Sequence, residues 1–311
     1  MKTVGIIGGS GFIGSYITKI FLEENYQVRV STTSFQNIEK YQHLFSLANS
    51  ENMMVMPLDV REVNLLEEFV DGCEILVHAG TPFVLDIKDP VKELFEPTVQ
   101  GTRNILDVVS RSRKVKKVVI IASIASWNTS FPLNPATYSP GHIFTEEDSP
   151  YFSDNDHPYG QAKYFADQEV RKFINDHPDL PFEVTSLSPT WVVGNSLSER
   201  KDSTSLGMQY LIKNKITDNP FIKLLFEKDV KFSMIDVRDV AEAVFQAATI
   251  WGIHGRNYLI ANESYSVSDI SRMLNNEEPI QNAEILYNSA LAKKELGIAF
   301  IAAKETLLHC M

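Results

Sequence analysis

At 311 residues the chain exceeds the usual size of one compact core, so a large unit and a smaller one sharing a cleft are expected. With 44% hydrophobic and 22% charged residues and a formal net charge of −11, the composition is that of a folded globular protein. Its average potential disfavours nucleic acid and anionic membrane surfaces. Cys73 and Cys310 alone suggest neither a disulfide framework nor a thiolate metal site. No run approaches the ~20 apolar residues of a membrane helix, so the expectation is a metal-free protein of the reducing cytoplasm.

The first half alternates β-rich runs with amphipathic stretches. Thr3 to Ile7, Gln27 to Ser31, Met53 to Pro57, Ile75 to Ala79 and Val118 to Ala122 read as strands. Phe12 to Asn25 and Val91 to Arg111 read as helices between them. Strands alternating with helices of this length need right-handed crossovers, which build an α/β doubly wound parallel sheet of Rossmann type.

Gly8, Gly11 and Gly14 follow the first strand directly and open the first helix, with Ser10, Phe12 and Ile13 between them. Lacking Cβ atoms, such a turn lets the backbone approach a pyrophosphate, and the helix start supplies N–H groups and a favourable dipole. The competing reading is a glycine-rich turn without a ligand; its place between strand and helix argues against that. After the second strand, Val30-Ser31-Thr32-Thr33-Ser34 offers no carboxylate for a ribose diol, which weakens the case for NAD. Lys40 is available for a 2′-phosphate, or is a solvated surface lysine. Asp59, just past the third strand, either accepts from an adenine amino group or caps a turn.

A loop-rich region from Asn128 to Pro158 leads to a helical pattern from about Tyr159 to His177, and Phe182 to Ser188 reads as a further strand. Tyr159 and Lys163 lie four apart on one helix face. A cation beside a phenol, with an oxidised nicotinamide near it, lowers the phenol pKa and lets it pass a proton to a forming alkoxide. Ser123, at the end of the fifth strand, is placed to orient a substrate carbonyl; Ser126 competes for that role.

Beyond Pro189 come a polar stretch, a helical stretch near Leu206 to Asn214, a strand-like Lys231 to Ile235 and a helix over Val237 to Trp251. Ser266 and Asp269 have the spacing of a capping box opening a helix to Leu274. The expected division gives residues 1–189, plus about 230–251, to the dinucleotide unit. About 190–229 and 252–311 go to a smaller, interleaved C-terminal substrate unit. His78 reads as a packing residue, since no second metal ligand accompanies it. Trp127 and Phe83 are equally readable as pocket or core.

Taken together, Gly8 to Gly14, Leu58-Asp59-Val60, His78-Ala79-Gly80-Thr81-Pro82, Gly101-Thr102-Arg103-Asn104, Ser123, Tyr159 to Lys163, Ser188 to Gly194 and Ile235 to Val240 resemble the extended short-chain dehydrogenase/reductases. Within them, the resemblance is to the dihydroflavonol-reductase-like NADPH-dependent aldehyde and ketone reductases. It implies Tyr159 as general acid, Lys163 on the nicotinamide ribose and Ser123 on the carbonyl. It also implies cofactor contacts from Val60, Ala79, Gly80, Thr81, Pro189 and Val192, and Lys40 near the 2′-phosphate. Thr33 stands where many relatives carry arginine, and Asn195 replaces the usual proline after the glycine.

The expected activity is hydride transfer from NADP(H), preferred over NAD(H), to a small uncharged carbonyl compound, by a monomer or homodimer. Two alternatives remain at this stage. One is an NAD-dependent hydroxysteroid dehydrogenase or sugar-nucleotide epimerase, for which Arg200, Lys201 and Arg256 are the available cations. The other is a non-catalytic dinucleotide-sensing regulator, which has no need of a Tyr159–Lys163 pair.

Overall fold

The computed structural model describes residues 1–82, 87–135, 137–139, 141–200, 202–308 and 310. Strands β1 (Thr3–Ile7), β2 (Gln27–Thr32), β3 (Met53–Pro57), β4 (Ile75–His78), β5 (Lys117–Ile121) and β6 (Glu183–Pro189) form the expected series. β7 (Trp191–Val193), β8 (Lys231–Asp236), β9 (Asn257–Ile260) and β10 (Ser264–Ser266) follow. The large sheet has the order β3-β2-β1-β4-β5-β6-β9, parallel throughout, and the small one β10-β8-β7. The doubly wound expectation is met. β1, β4 and β5 read as continuous apolar runs because helices cover both faces of a parallel sheet.

One face carries α1 (Phe12–Glu23) and the other α2 (Val63–Val70), α3 (Gly101–Arg111) and α4 (Pro158–Asp176), each with its own apolar cluster against the strands. The helix expected over Val91 to Arg111 is in two parts, a wide π-type run Val91–Gln100 and then α3. Pro97 explains the difference: it has no N–H for the α ladder and its ring crowds the preceding turn.

The smaller layer holds α5 (Thr204–Lys213), α6 (Pro220–Glu227), α8 (Val267–Leu274) and α10 (Ala303–Leu308) around the small sheet. α7 (Val237–Thr249) returns to the large sheet beside α1, with α9 (Ala290–Leu296) against it. Two strands sit across the expected boundary. β9, at residues grouped with the substrate unit, is the seventh strand of the large sheet, and β8, grouped with the dinucleotide unit, is central in the small one. The capping box is half formed: Ser266 Oγ accepts from the Asp269 N–H, while the Asp269 carboxylate turns to the N–H groups of Ile280 and Gln281.

No described helix is long and apolar enough to cross a membrane, and no described trio of His, Cys, Asp or Glu is arranged to hold a metal. Cys73 and Cys310 are free and buried, and burial pushes both thiols up to about 11.

Candidate active site

Where β1 ends, Gly8 turns with φ of +79°, and a Cβ there would lie 2.6 Å from Gly80 Cα. Only glycine serves at such a position. A Cβ on Gly14 would lie 2.0 Å from the Gly8 carbonyl oxygen, so the first turn of α1 is pressed against the loop. Ser31 Oγ accepts the Gly8 N–H at 2.9 Å and fixes the turn. α1 opens at Gly11 with no side-chain cap and no acidic residue in its first turn. Its leading N–H groups are therefore left for an external anion.

This loop floors a groove of ≈ 480 Å³ along the edge of β1, β2 and β4. Ser10, Gly11, Lys40, Asp59, Val60, Ala79, Gly80 and Thr81 line it as expected, together with Thr33. Phe12 and Gly14 do not; Phe12 packs on the core behind the loop. Four cations, Lys40, Arg61, Lys92 and Arg200, border the groove with one carboxylate, Asp59; Arg61 is ion-paired to Asp59 and Glu96, Lys92 to Asp89 and Arg200 to Asp202. Arg200 donates to the carbonyls of Ser10 and Lys40, both at 3.0 Å, so it braces the glycine loop and is not a substrate-unit cation. Arg256, paired with Glu295 at 3.0 Å, lines neither this groove nor the cavity beside it, and Lys201 lies outside the described residues.

Arg61 was not anticipated. It binds both Asp59 oxygens, with Nη2 2.6 Å from Oδ2, and holds that carboxyl below its usual range. Arg238 repeats the arrangement on Asp236, so each Asp-Val-Arg segment folds as the same clasp. The recurrence of Asp-Val-Arg at Asp59 to Arg61 and Asp236 to Arg238 is the signal in the sequence that could have found it.

The groove leads to a mainly apolar cavity of ≈ 170 Å³. Ile13, Ser123, Tyr159, Lys163, Pro189 and Val192 meet on its wall. β5 delivers Ser123, whose Oγ accepts from the Ala125 N–H at 3.1 Å and hydrogen-bonds the Tyr159 phenol. Ser126 turns away, donating to the Ser123 carbonyl at 2.7 Å. α4 starts at Pro158, with His157 Nδ1 accepting the Tyr159 N–H at 3.2 Å. A Cβ on Gly160 would stand 2.8 Å from the Thr129 carbonyl oxygen, so glycine lets that loop close over the helix start. Asp156 locks it by accepting from Thr129 and Ser130 hydroxyls.

Lys163 is buried, donating to Thr81 Oγ1 and, at 3.4 Å, to the Ile121 carbonyl, with Nζ 6.0 Å from the Tyr159 ring centroid. Burial lowers its ammonium to about 7. Burial also pushes the Tyr159 phenol up to about 12, with the Ser123 hydrogen bond pulling the other way. The expected lowering of Tyr159 is thus not a property of the protein alone: a lysine so depressed carries too little charge to offset desolvation.

The cost of this placement is measurable. Between about pH 7 and the ordinary lysine range of ~10.4, the unfolded chain binds a proton that folded Lys163 has lost. Lys163 therefore makes stability rise with pH across that window. Lys163→Met is expected to raise the melting temperature at pH 6.5 and to narrow its advantage by pH 9, as thermal melts at the two pH values would read.

Trp191 and Phe232 stack at 4.9 Å between centroids, with Phe131 against Phe232 at 5.3 Å, and they close the far wall with Met208 and Phe221. Trp191 lies in the Ser188 to Gly194 segment already singled out, whereas Phe131, Phe221 and Phe232 were not anticipated. Trp127 belongs to the core instead, packed among Ile124, Phe144 and Tyr287, with Nε1 donating to Ser188 at 3.2 Å. Phe83 lies outside the described residues. His78 is buried, and burial lowers its imidazole to about 3, as a packing residue requires.

The profile of the NAD dependent epimerase/dehydratase family matches residues 4–261. The chain belongs to this family. Among curated relatives of this epimerase/dehydratase member, cinnamoyl-CoA reductase CAD2 of Medicago truncatula is 25% identical over 276 residues, covering 88% of this chain and 80% of the relative. The NADPH-dependent methylglyoxal reductase GRE2 of Saccharomyces cerevisiae is 24% identical over 336 residues, covering 98% and 96%. The crystal structure of Gre2 from Candida albicans in complex with NADPH superposes with a TM-score of 0.82 at 23% identity, covering 100% of this chain and 97% of that one. That similarity shows the family member's fold.

The residues present fit a dinucleotide. The uncapped start of α1, the positive-φ cradle at Gly8 and the cationic rim suit a pyrophosphate with a further phosphate. Thr190 Oγ1, buried beside the cavity with no hydrogen-bond partner among the described residues, is a polar atom that a carboxamide would satisfy.

Proposed function

We propose that the protein is an NADPH-dependent reductase that delivers hydride to an aldehyde or ketone. The observation that carries this reading is that a cationic groove meets, at Ala79 and Thr81, an apolar pocket lined by Ser123, Tyr159 and Lys163. Gly8, Ser10, Gly11, Ile13, Ala79, Gly80, Thr81, Pro189 and Val192 hold the dinucleotide, and Lys40 favours a 2′-phosphate. Phe12 and Gly14 act by shaping the loop. When bound, the nicotinamide supplies the hydride. Ser123 Oγ holds the carbonyl oxygen, Tyr159 gives it a proton, and Lys163 keeps the phenol oriented. The apolar wall excludes water from these groups.

The relatives' activities support a reductase, and the chemistry of the pocket favours it over an epimerase. Apart from Lys163, His157 and Tyr159, the residues lining that pocket are not ionisable, so it suits an uncharged carbonyl compound rather than a sugar nucleotide. A pure sensor would not require the Ser123–Tyr159 hydrogen bond beside a buried lysine. The free thiols Cys73 and Cys310 suit a reducing cytoplasm. For the substrate unit, we assign β7, α5, α6, β8, β10, α8 and α10.

The test is consumption of NADPH and NADH with aldehydes, diketones, aryl ketones and sugar nucleotides. Turnover of an uncharged carbonyl with NADPH is the expected result, and Lys40→Ala should raise the KM for NADPH roughly tenfold, the worth of one charge-assisted hydrogen bond, while sparing NADH. Turnover confined to sugar nucleotides, or binding without consumption across the panel, would overturn the reading.

A further inference from the structure

A second, much smaller cavity adjoins the substrate pocket at Lys163, sharing Thr81, Ile121 and Ala122 with it. Its volume is ≈ 10 Å³, and His78, Thr98, Thr102, Lys163, Asp167 and Ser186 are among the residues that line it. That is about the space needed for one water molecule, and a water is held in such a place only where two or more polar partners converge. Two do. His78 Nδ1 and Thr98 Oγ1 are buried and have no hydrogen-bond partner among the described residues.

The neighbouring bonds fix what each atom offers. Thr102 Oγ1 donates to the Thr98 carbonyl at 2.7 Å, so it faces His78 Nε2, 3.5 Å away, with a lone pair. The imidazole proton then belongs on Nε2, and Nδ1 is left as an acceptor. The ring stays neutral at any working pH, because burial holds it near 3. Lys163 Nζ uses two donors on Thr81 and Ile121, and an ammonium has three.

We propose that this cavity holds one structural water, which accepts from Lys163 Nζ and donates to His78 Nδ1 and Thr98 Oγ1, making His78 and Thr98 positioning residues for the lysine. The inference rests on reading Lys163 as the partner of Tyr159. The water's lone pair favours the charged amine and returns part of what burial removes. Among the described residues, the ionisable groups near Lys163 are Tyr159 and Asp167 on its own helix and His78 at the end of β4. Asp167 is committed to Arg171 at 2.6 Å and to Asn257 at 2.7 Å. β5 and β6 present a carbonyl at Ile121 and a hydroxyl at Ser186, and the Val91–Gln100 run and α3 present Thr98 and Thr102.

The experiment is an NMR titration of the Lys163 ammonium in the full chain with isotopically labelled lysine and no dinucleotide, the resonance being assigned by its loss in Lys163→Met. Thr98→Val, which keeps the shape and removes the oxygen, is expected to lower the midpoint by about one pH unit, the worth of one hydrogen bond to a charged group. Thr98→Ser should restore it. His78→Phe should lower it in the same direction. A crystal structure of the unsubstituted protein should show the water within hydrogen-bond distance of Nζ and Nδ1, which keeps the test open if a variant fails to fold. A dry cavity, or a midpoint that Thr98→Val leaves in place, would overturn the proposal. No substrate enters this measurement, so its failure is distinct from failure of the reductase reading.

Discussion

Tyr159→Phe is expected to lower kcat by roughly 10²- to 10⁴-fold, the usual contribution of a positioned general acid, while dinucleotide affinity stays close to that of the parent protein. The phenol oxygen bonds Ser123 and faces the cavity, whereas the ring and its backbone anchor to His157 are untouched by the change. Stopped-flow single turnovers with saturating NADPH, paired with fluorescence titration of the dinucleotide, separate the two effects. Retained turnover at parental rate would remove Tyr159 from the chemistry. In the protein alone the phenol sits at about 12, so it remains a protonated donor throughout the neutral range. The reduction rate should accordingly show no loss from Tyr159 ionisation below pH 9.

Gly14→Ala is expected to cost more than any single change to a polar side chain of the groove. The added methyl carbon would stand 2.0 Å from the Gly8 carbonyl oxygen and 2.8 Å from Gly9 Cα, and both are backbone atoms that cannot rotate away. Either α1 moves off the sheet or the loop opens, and in both cases the leading N–H groups of the helix leave the groove. Overpacking of this kind destabilises by about 1–3 kcal/mol. Affinity for either dinucleotide should fall by about two orders of magnitude, the effect of losing two or more charge-assisted hydrogen bonds. Equal loss for NADPH and NADH is the distinguishing outcome, because the displaced groups face the shared pyrophosphate. Isothermal titration with both cofactors, beside a thermal melt, reads it. Undiminished binding would show that the glycine loop does not carry the anion.

The strands of the large sheet were legible because parallel strands buried on both faces are written as unbroken apolar runs, as in Val4 to Ile7 and Val118 to Ile121. β9 escaped because Asn257–Ile260 is four residues long and lies amid loops, and its assignment to the sheet depends on pairing with β6 across 71 positions of chain. β7 has three residues and no periodicity to detect. Tyr159 and Lys163 could be found because one helix turn joins them; Ser123 could be found because a strand end has a known address in this architecture. Thr129, Asp156 and the aromatic wall come together only through tertiary contacts, and nothing in their local sequence marks them. The raised pKa of Tyr159 in the protein alone was not legible for a related reason. Spacing reports the lysine's presence, whereas its burial, which removes most of the expected influence, is a property of the whole fold.

The passage from β6 to β7 takes the chain from one sheet to the other within two residues, Pro189 ending β6 and Trp191 starting β7. Pro189 and Val192 face the reaction centre while Trp191 joins the aromatic wall. Everything between Val193 and β8 is thereby hung from a fixed doorway, as a room is from its frame. Substitutions at Met208, Phe221 or Phe232 would refurnish that room, while the frame keeps hydride donor and proton donor in register. Libraries confined to those three positions should therefore redirect substrate choice and leave the stereochemical face of attack unchanged.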